Sequence, residues 1–451
     1  MTHQPIRGIW GSITDSVEPR SVLATELVKE LEDGLRVLGE VSPAVTFFGG
    51  ARVTRDDPYY AEAERMGELL ADAGIPPRTG AGPGIMSAVP EGFRRRLTES
   101  GQNGDPSPVH QPGHGPQPLT QGFNIILPFE QEVNPAIDLS MELAHFPTRK
   151  LMLYKNCLGL VIFPGGFGTL DELLEVWRLK AAGNLNFPVV LFGRDFWKPL
   201  KTALDVAQQS CPSVALPDEY IDLLSCTDDP QQAIDLVTAS EAARGSNEPL
   251  FELGHRIARE LVEGLDYLDR LPSAITVLGG SRLTEGCEPI RHAEELARAL
   301  ASRNVPTRAA GPGALSVALA HGGHLGKKHL PQQAFGMRRP DARNLYGADR
   351  VHLVADRLTH KVLLTEGARA VVALPGSLGT LDELFSILCQ FQTQTVTRRP
   401  IILMGTDFWQ PILDTLKVCM LDGPRQTISA EDLDLMHLTD DPEEAARLAL
   451  S

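Results

Sequence analysis

The chain has 451 residues, 42% of them hydrophobic and 22% charged, a balance that builds packed cores and, at this length, two or three domains. Its formal charge of −16 argues against a nucleic-acid polymer as partner, because phosphate backbones select basic surfaces, whereas one small anion needs only a local pocket of donors. No run approaches the roughly 18 to 20 apolar residues of a membrane span, and the N-terminus carries no hydrophobic leader, so no membrane partner and a cytoplasmic location are expected.

In chain order, AVTFFGG (44–50) is a strand running into glycines, and YYAEAERMGELLADAG (59–74) has apolar residues at helical spacing. GFNIILP (122–128) is a second strand and TRKLMLYKN (148–156) a helix. LGLVIFPGG (158–166) is again a strand, TLDELLEVWRLKAAG (169–183) a helix and FPVVLFG (187–193) a strand. This alternation predicts a parallel, doubly wound sheet, whose ligands bind where strands turn into helices.

The same elements return later. AVTFFGGARVT (44–54) recurs as AITVLGGSRLT (274–284), and TGAGPGIMSA (79–88) as AAGPGALSVA (309–318). VIFPGGFGTLDELLEVW (161–177) recurs as VALPGSLGTLDELFSIL (372–388), and PVVLFGRDFWKPL (188–200) as PIILMGTDFWQPI (400–412). Four matches in one order indicate a tandem duplication. The expected fold is therefore α/β, two tandem Rossmann-like doubly wound parallel-sheet domains, 1–240 and 241–451, joined near SEAARGSNEP (240–249). The offset between copies drops from about 230 to 211. Residues 101–120, with five prolines and four glycines, account for the difference as an insert in the first copy with the composition of a mobile loop. His110 and His114 in it are expected to be exposed rather than metal-bound.

The six cysteines are scattered without a CxxC pair, which suits reduced thiols better than disulfides. No His/Cys/Asp cluster has ligand spacing, so neither metal nor cofactor is expected.

The turn Phe163-Pro-Gly-Gly-Phe-Gly-Thr-Leu-Asp-Glu172 carries the most information. Gly165, Gly166 and Gly168 let backbone amides crowd together, and Thr169 is placed to cap a helix whose first turn holds Asp171 and Glu172. Free amides at a helix start form a phosphate cradle; a plain tight turn before an acidic helix start fits the spacing equally well. TGAGPGIMSA supplies a second glycine-rich turn. It is not the GxGxxG dinucleotide fingerprint, since Pro83 follows Gly82, which makes a nicotinamide dehydrogenase a weak candidate.

PGGFGTLDE, the upstream TRK (148–150), TGAGPGIM and GFNIILPFEQ together resemble the LOG ("lonely guy") cytokinin-activating phosphoribohydrolases and their relatives, the bacterial nucleotide 5′-monophosphate nucleosidases. The old label "lysine decarboxylase" also attaches to that family. The resemblance covers most of 40–200. It implies hydrolysis of a nucleoside 5′-monophosphate to free base and ribose 5-phosphate, with Arg149 and Glu172 as the catalytic pair. Thr169, Gly165, Gly166 and Gly168 would then hold the 5′-phosphate, with Gly82 and Gly84 close to ribose or phosphate. Asn124 is a polar contact or a turn-stabilising side chain, and Lys150 adds positive potential or pairs with a carboxylate. Rival readings are a nucleotide- or cofactor-binding carrier without turnover and a pyridoxal-phosphate decarboxylase, for which Lys150 is a candidate only by being present.

In the second copy His360 stands opposite Arg149, Lys361 opposite Lys150, Glu383 opposite Glu172, and Ser377 replaces Gly166. A histidine lacks the permanent charge and fork of arginine, so this copy is expected to keep the carboxylate, lose its partner, and be catalytically weak or silent. Because LOG-like enzymes are dimers with sites near the subunit interface, the resemblance also implies an intramolecular pseudo-dimer, with further homo-oligomerisation open. The preferred base is not legible.

Overall fold

Short runs of β-branched and aromatic residues with little polar interruption, such as AVTFF and CLGLVI, are suited to strands covered on both faces. In the computed structural model, which describes residues 20–100, 119–128, 133–239, 249–326, 330–338 and 347–451, they form the centres of two seven-stranded sheets. The first holds β1 (Ala44–Phe48), β2 (Pro77–Thr79), β3 (Gln121–Ile125), β4 (Leu139–Leu143), β5 (Cys157–Ile162), β6 (Val189–Phe192) and β7 (Ser225–Thr227). The second holds β8 (Ala274–Leu278), β9 (Thr307–Ala310), β10 (Gln333–Met337), β11 (Arg350–Val354), β12 (Ala368–Ala373), β13 (Ile401–Met404) and β14 (Met436–Thr439). Both are wholly parallel and share one order, β4-β3-β2-β1-β5-β6-β7 and β11-β10-β9-β8-β12-β13-β14. The chain is thus two tandem Rossmann-like α/β units. All but the last two residues of the 101–120 insert, with His110 and His114, lie outside the described residues, as does the join up to residue 248.

Around the first sheet run α1 (Arg20–Glu40), α2 (Pro58–Ala73), α3 (Ile85–Glu99), α4 (Phe146–Tyr154), α5 (Phe167–Ala181), α6 (Arg194–Ser210), α7 (Asp218–Ile221) and α8 (Pro230–Thr238). The second unit repeats them as α9 (Leu250–Leu268), α10 (Glu288–Ser302), α11 (Ala314–His324), α12 (Arg357–Thr365), α13 (Leu378–Gln392), α14 (Thr406–Leu416), α15 (Ala430–Leu433) and α16 (Pro442–Leu448). α2 shows why such segments stop where they do. Asp57 accepts the Tyr59 N–H, Pro58 opens the first turn, and Gly74 closes the helix at φ +67°.

The halves meet through equivalent elements: α1 on α9, α5 on α13, α6 on α14 and α4 on α12. One apolar core runs through both, from Leu27, Leu31 and Trp177 to Leu261, Leu384 and Phe385. A second cluster, including Phe47, Phe93 and Phe163, covers the opposite face of the first sheet under α2, α3 and α8. Among the described residues no helix is long and apolar enough to cross a membrane.

β4 and β2 were not legible as strands. LSMEL alternates in burial at the sheet edge. Three-residue β2 hides the wholly buried Arg78, whose guanidinium bonds Gln121 and the carbonyls of Met152 and Lys155.

Candidate functional site

The order of the first sheet reverses between β1 and β5, and three glycine turns pile up at the carboxyl ends there. Gly50 N–H donates to the Pro164 carbonyl at 2.9 Å, and Ile85 N–H donates to the Gly50 carbonyl at 3.3 Å. A Cβ on Gly84, at φ +69°, would overlap Gly50 O, and one on Gly165 would overlap the Thr169 hydroxyl. These contacts leave no room for a side chain at either place. α3 and α5 both start from this stack with glycine caps, Gly84 and Gly166, and without a side-chain cap. In α3 the first-turn amides of Ile85 and Ser87 are taken by the Gly50 and Gly84 carbonyls, whereas the start of α5 has no side-chain acceptor for its first amides, the arrangement in which a helix start can hold an anion.

One expectation changes here. α5 begins at Phe167, two residues earlier than its sequence pattern suggests, because Gly166 in extended conformation starts the helix. Thr169 thus sits inside the first turn against Gly165 and caps nothing, while Asp171 and Glu172 fall beyond the first turn.

Arg149, on α4, brings its Nη1 to 3.3 Å from Glu172 Oε1 and donates from Nε to the Phe123 carbonyl at 3.0 Å. The two side chains are only 8% and 11% exposed. Burial pushes the Glu172 carboxyl up to about 7, and the Arg149 guanidinium opposes that shift without cancelling it. Asn124, next along β3, is buried with its Oδ1 lacking a hydrogen-bond partner among the described residues. Gly82 is buried and its carbonyl accepts the Ser87 hydroxyl at 3.1 Å, while Gly168 and Gly166 are partly exposed on the turn.

Lys150 stands elsewhere. Its ammonium is 2.8 Å from Asp171, 2.6 Å from Glu175 and 3.3 Å from Ser386 Oγ, so its three protons are taken by protein oxygens. Across the interface Lys361 bonds Glu175 at 2.8 Å and Asp382 at 2.5 Å. Asp171, Glu175 and Asp382 bring carboxylate oxygens within 4.8 Å of one another, a spacing that could hold a metal ion. Two ammonium groups and the Arg178 guanidinium, 2.9 Å from Asp382, already face these three carboxylates. Burial opposes the charge of Lys150, yet Asp171 and Glu175 hold its pKa well above the ordinary lysine value.

The second half completes the surroundings with residues the sequence did not single out. Cys389 on α13 packs with Ile125 and Phe146 beside Arg149. A Cβ on Gly166 would come to 2.5 Å from the Thr427 carbonyl, so the glycine admits the opposite half's loop. Arg52 donates to the Gln426 carbonyl at 3.0 Å, and Arg425 lies 2.8 Å from Asp57 and stacks on Tyr59. Contacts between segments hundreds of residues apart leave no local spacing signal.

The second-half counterpart corrects an expectation. Glu383 has not lost its guanidinium partner: Arg178, from α5 of the first half, places Nη1 at 3.0 Å from Glu383 Oε1 and 2.9 Å from Asp382. His360 Nδ1 is 3.5 Å from the same Glu383 oxygen, and its Nε2 is 3.2 Å from the Phe335 carbonyl. Burial depresses the His360 pKa.

A cavity of about 330 Å³ is lined by none of these groups. It follows another stripe of α5, with Leu170, Leu174, Trp177, Trp197 and Phe385 in mostly apolar walls that also include Arg194, Lys198 and Lys201.

Comparison with known proteins gives the family. The profile of the family described as "Possible lysine decarboxylase" matches residues 109–237 and 322–449, together more than half of the chain. The Escherichia coli (strain K12) pyrimidine/purine nucleotide 5′-monophosphate nucleosidase is 28% identical over 201 residues, 41% of this chain and 40% of that protein. The chain therefore spans about two fifths of the length of that curated relative. The cytokinin riboside 5′-monophosphate phosphoribohydrolase of Rhodococcoides fascians is 25% identical over 157 residues, 34% of this chain and 78% of the relative. Among solved structures, the molybdenum cofactor binding protein of Rippkaea orientalis aligns at 18% identity with a TM-score of 0.31, covering 44% of this chain and 96% of that one. The chain belongs to the LOG/lysine decarboxylase-like family, and it carries two copies of the family's unit.

Proposed function

We propose that the first half hydrolyses the N-glycosidic bond of nucleoside 5′-monophosphates, releasing the free base and ribose 5-phosphate. The observation that carries this reading is the largely buried Arg149–Glu172 pair, 3.3 Å apart, beside two helix starts without side-chain caps. The E. coli nucleosidase and the R. fascians phosphoribohydrolase, to which the chain is similar, support it.

Cleavage breaks the C1′–N bond. The bonding pair leaves with the base and positive charge spreads over C1′ and the ring oxygen. A carboxylate in a site shielded from water stabilises that charge strongly. Glu172, titrating near 7, can also accept the proton of the water that attacks C1′. Arg149 holds substrate oxygens or steadies electron density building on the departing base, roles that suit its planar fork. The 5′-phosphate rests on the Gly165–Thr169 and Gly82–Gly84 turns, and the unpartnered Asn124 Oδ1 accepts from a substrate N–H or O–H.

The test is a panel of nucleoside 5′-monophosphates with free base as the readout, alongside Arg149→Ala and Glu172→Gln. Release of base, cut by a hundredfold or more in either variant, supports the proposal. Wild-type rates in both variants overturn the assignment of the pair. Tight binding of a nucleotide with no release of base from any of them points to a carrier.

A further inference from the structure

Three substitutions between the two halves fall around one point. At the place of Arg149 the second half has His360, and at the place of Phe146 it has Arg357. The residue entering from the opposite half differs as well: Cys389 approaches the first site, while its equivalent Arg178 approaches the second. Room for Arg178 comes from Gly379, where a Cβ would stand 3.3 Å from Cζ and Nη2.

Arg178 is tied to Asp382 and Glu383. Arg357 is different. Its Nε and Nη1 are shut off from solvent and have no hydrogen-bond partner among the described residues. Burial and then the neighbouring Arg178 charge bring its pKa down to about 10. Two enclosed donors left unmet on a partly exposed side chain are costly unless something satisfies them. The turn facing this end of the sheet tells the same way. The Ser316 hydroxyl, just inside α11, is buried without a partner, whereas its equivalent Ser87 donates to the Gly82 carbonyl. As in the first half, α11 and α13 start from Gly313 and Ser377 without side-chain caps.

Guanidinium groups beside uncapped helix starts select a phosphate, and a carboxylate next to them selects hydroxyl donors rather than a second anion. We propose that the second half is a separate binding site for a sugar phosphate, with the phosphate held by Arg357 and by Arg178 lent from the first half, and a sugar hydroxyl donating to Glu383. The phosphate part stands on these residues alone; the choice of a pentose rests on the function proposed for the first half.

Titration of the full chain with ribose 5-phosphate by calorimetry tests this without requiring turnover, since that molecule has no base to lose. Two sites per chain are expected. Arg357→Phe installs the residue that the first half carries at the equivalent place, and should weaken one site at least tenfold while the other remains. Arg149→Ala should weaken the other. Arg357→Lys, with its charge kept, should retain two sites and serves as the check if Arg357→Phe folds poorly by circular dichroism. Inorganic phosphate competing at the Arg357-dependent site supports the assignment of the anion. A single site in the wild-type chain, or two sites untouched by Arg357→Phe, overturns the proposal. Failure of every nucleotide to release base would count against the first-half reading and leave this titration standing.

Discussion

Gly80 and Arg149 occupy each other's space: a Cβ built on the glycine would overlap the arginine's Nη2. In the second half the same two places hold Ala310 and His360, a larger residue facing a shorter one. The reach of Arg149 to Glu172 thus depends on an absent methyl group on the neighbouring strand end.

Gly80→Ala should displace the guanidinium and lower kcat/KM about ten- to a hundredfold, the cost of moving a reacting group by about 1 Å. Thermal melting should fall as well, because the guanidinium that gives way is paired with a buried carboxylate and the same Cβ would stand 2.8 Å from Met86 Sδ. Unchanged kinetics in the base-release assay would separate Arg149 from the reaction.

The raised carboxyl of Glu172 makes a pH prediction with a definite sign. Its folded pKa of about 7 lies above the ordinary glutamate value, so folding favours the protonated form. The stability this contributes is complete below about 4.5 and is lost as pH rises through 7. Glu172→Gln should therefore stabilise the protein above pH 7 by at most about 3 kcal/mol and flatten the dependence between 4.5 and 7. Chemical denaturation at pH 5 and pH 8 measures it. Activity, which needs the ionised group, should rise through pH 7 in the opposite sense.

Lys361 joins Glu175 of one half to Asp382 of the other. Lys361→Met removes a buried cation from two buried carboxylates, a change that costs about 3–5 kcal/mol. For a chain of 451 residues this lowers Tm by about 3–5 °C. Because the apolar core is continuous across the halves, calorimetry should show one transition moving as a unit. Two separated transitions would show that the halves melt independently.

Residues 1–240 expressed alone would bare the faces of α1, α5 and α6 that α9, α13 and α14 cover. Size-exclusion chromatography should find dimers or aggregates and no active monomer. A monodisperse, fully active fragment would defeat the idea that the second half completes the first site.

Most of the central sheet was legible, because AVTFF, CLGLVI and VVLF are apolar runs whose period and length leave few alternatives. Duplication supplied the rest by repetition. Edge strand LSMEL was not, since it is covered on one side only. Arg149 and Glu172 could be singled out because they lie in short local motifs that resemble those of a known family, whereas spacing alone left the glycine turn open between a cradle and a plain turn. Cys389, Thr427 and Arg178 could not, because their importance arises where the two halves touch, and nothing in a linear pattern reports that contact. Lys150 shows the same limit from the other side. It lies next to Arg149 in sequence, yet one helical step turns it toward the interface carboxylates.

Arg178 and Cys389 hold equivalent places on α5 and α13, each beside the opposite unit's glutamate turn. In an assembly of two identical chains a single codon would set both, and any change would be felt twice. Fusion removes that constraint: position 178 can be altered for the sake of one pocket and position 389 for the other. The ancestral symmetry then survives as a scaffold on which two unlike pockets can be tuned independently.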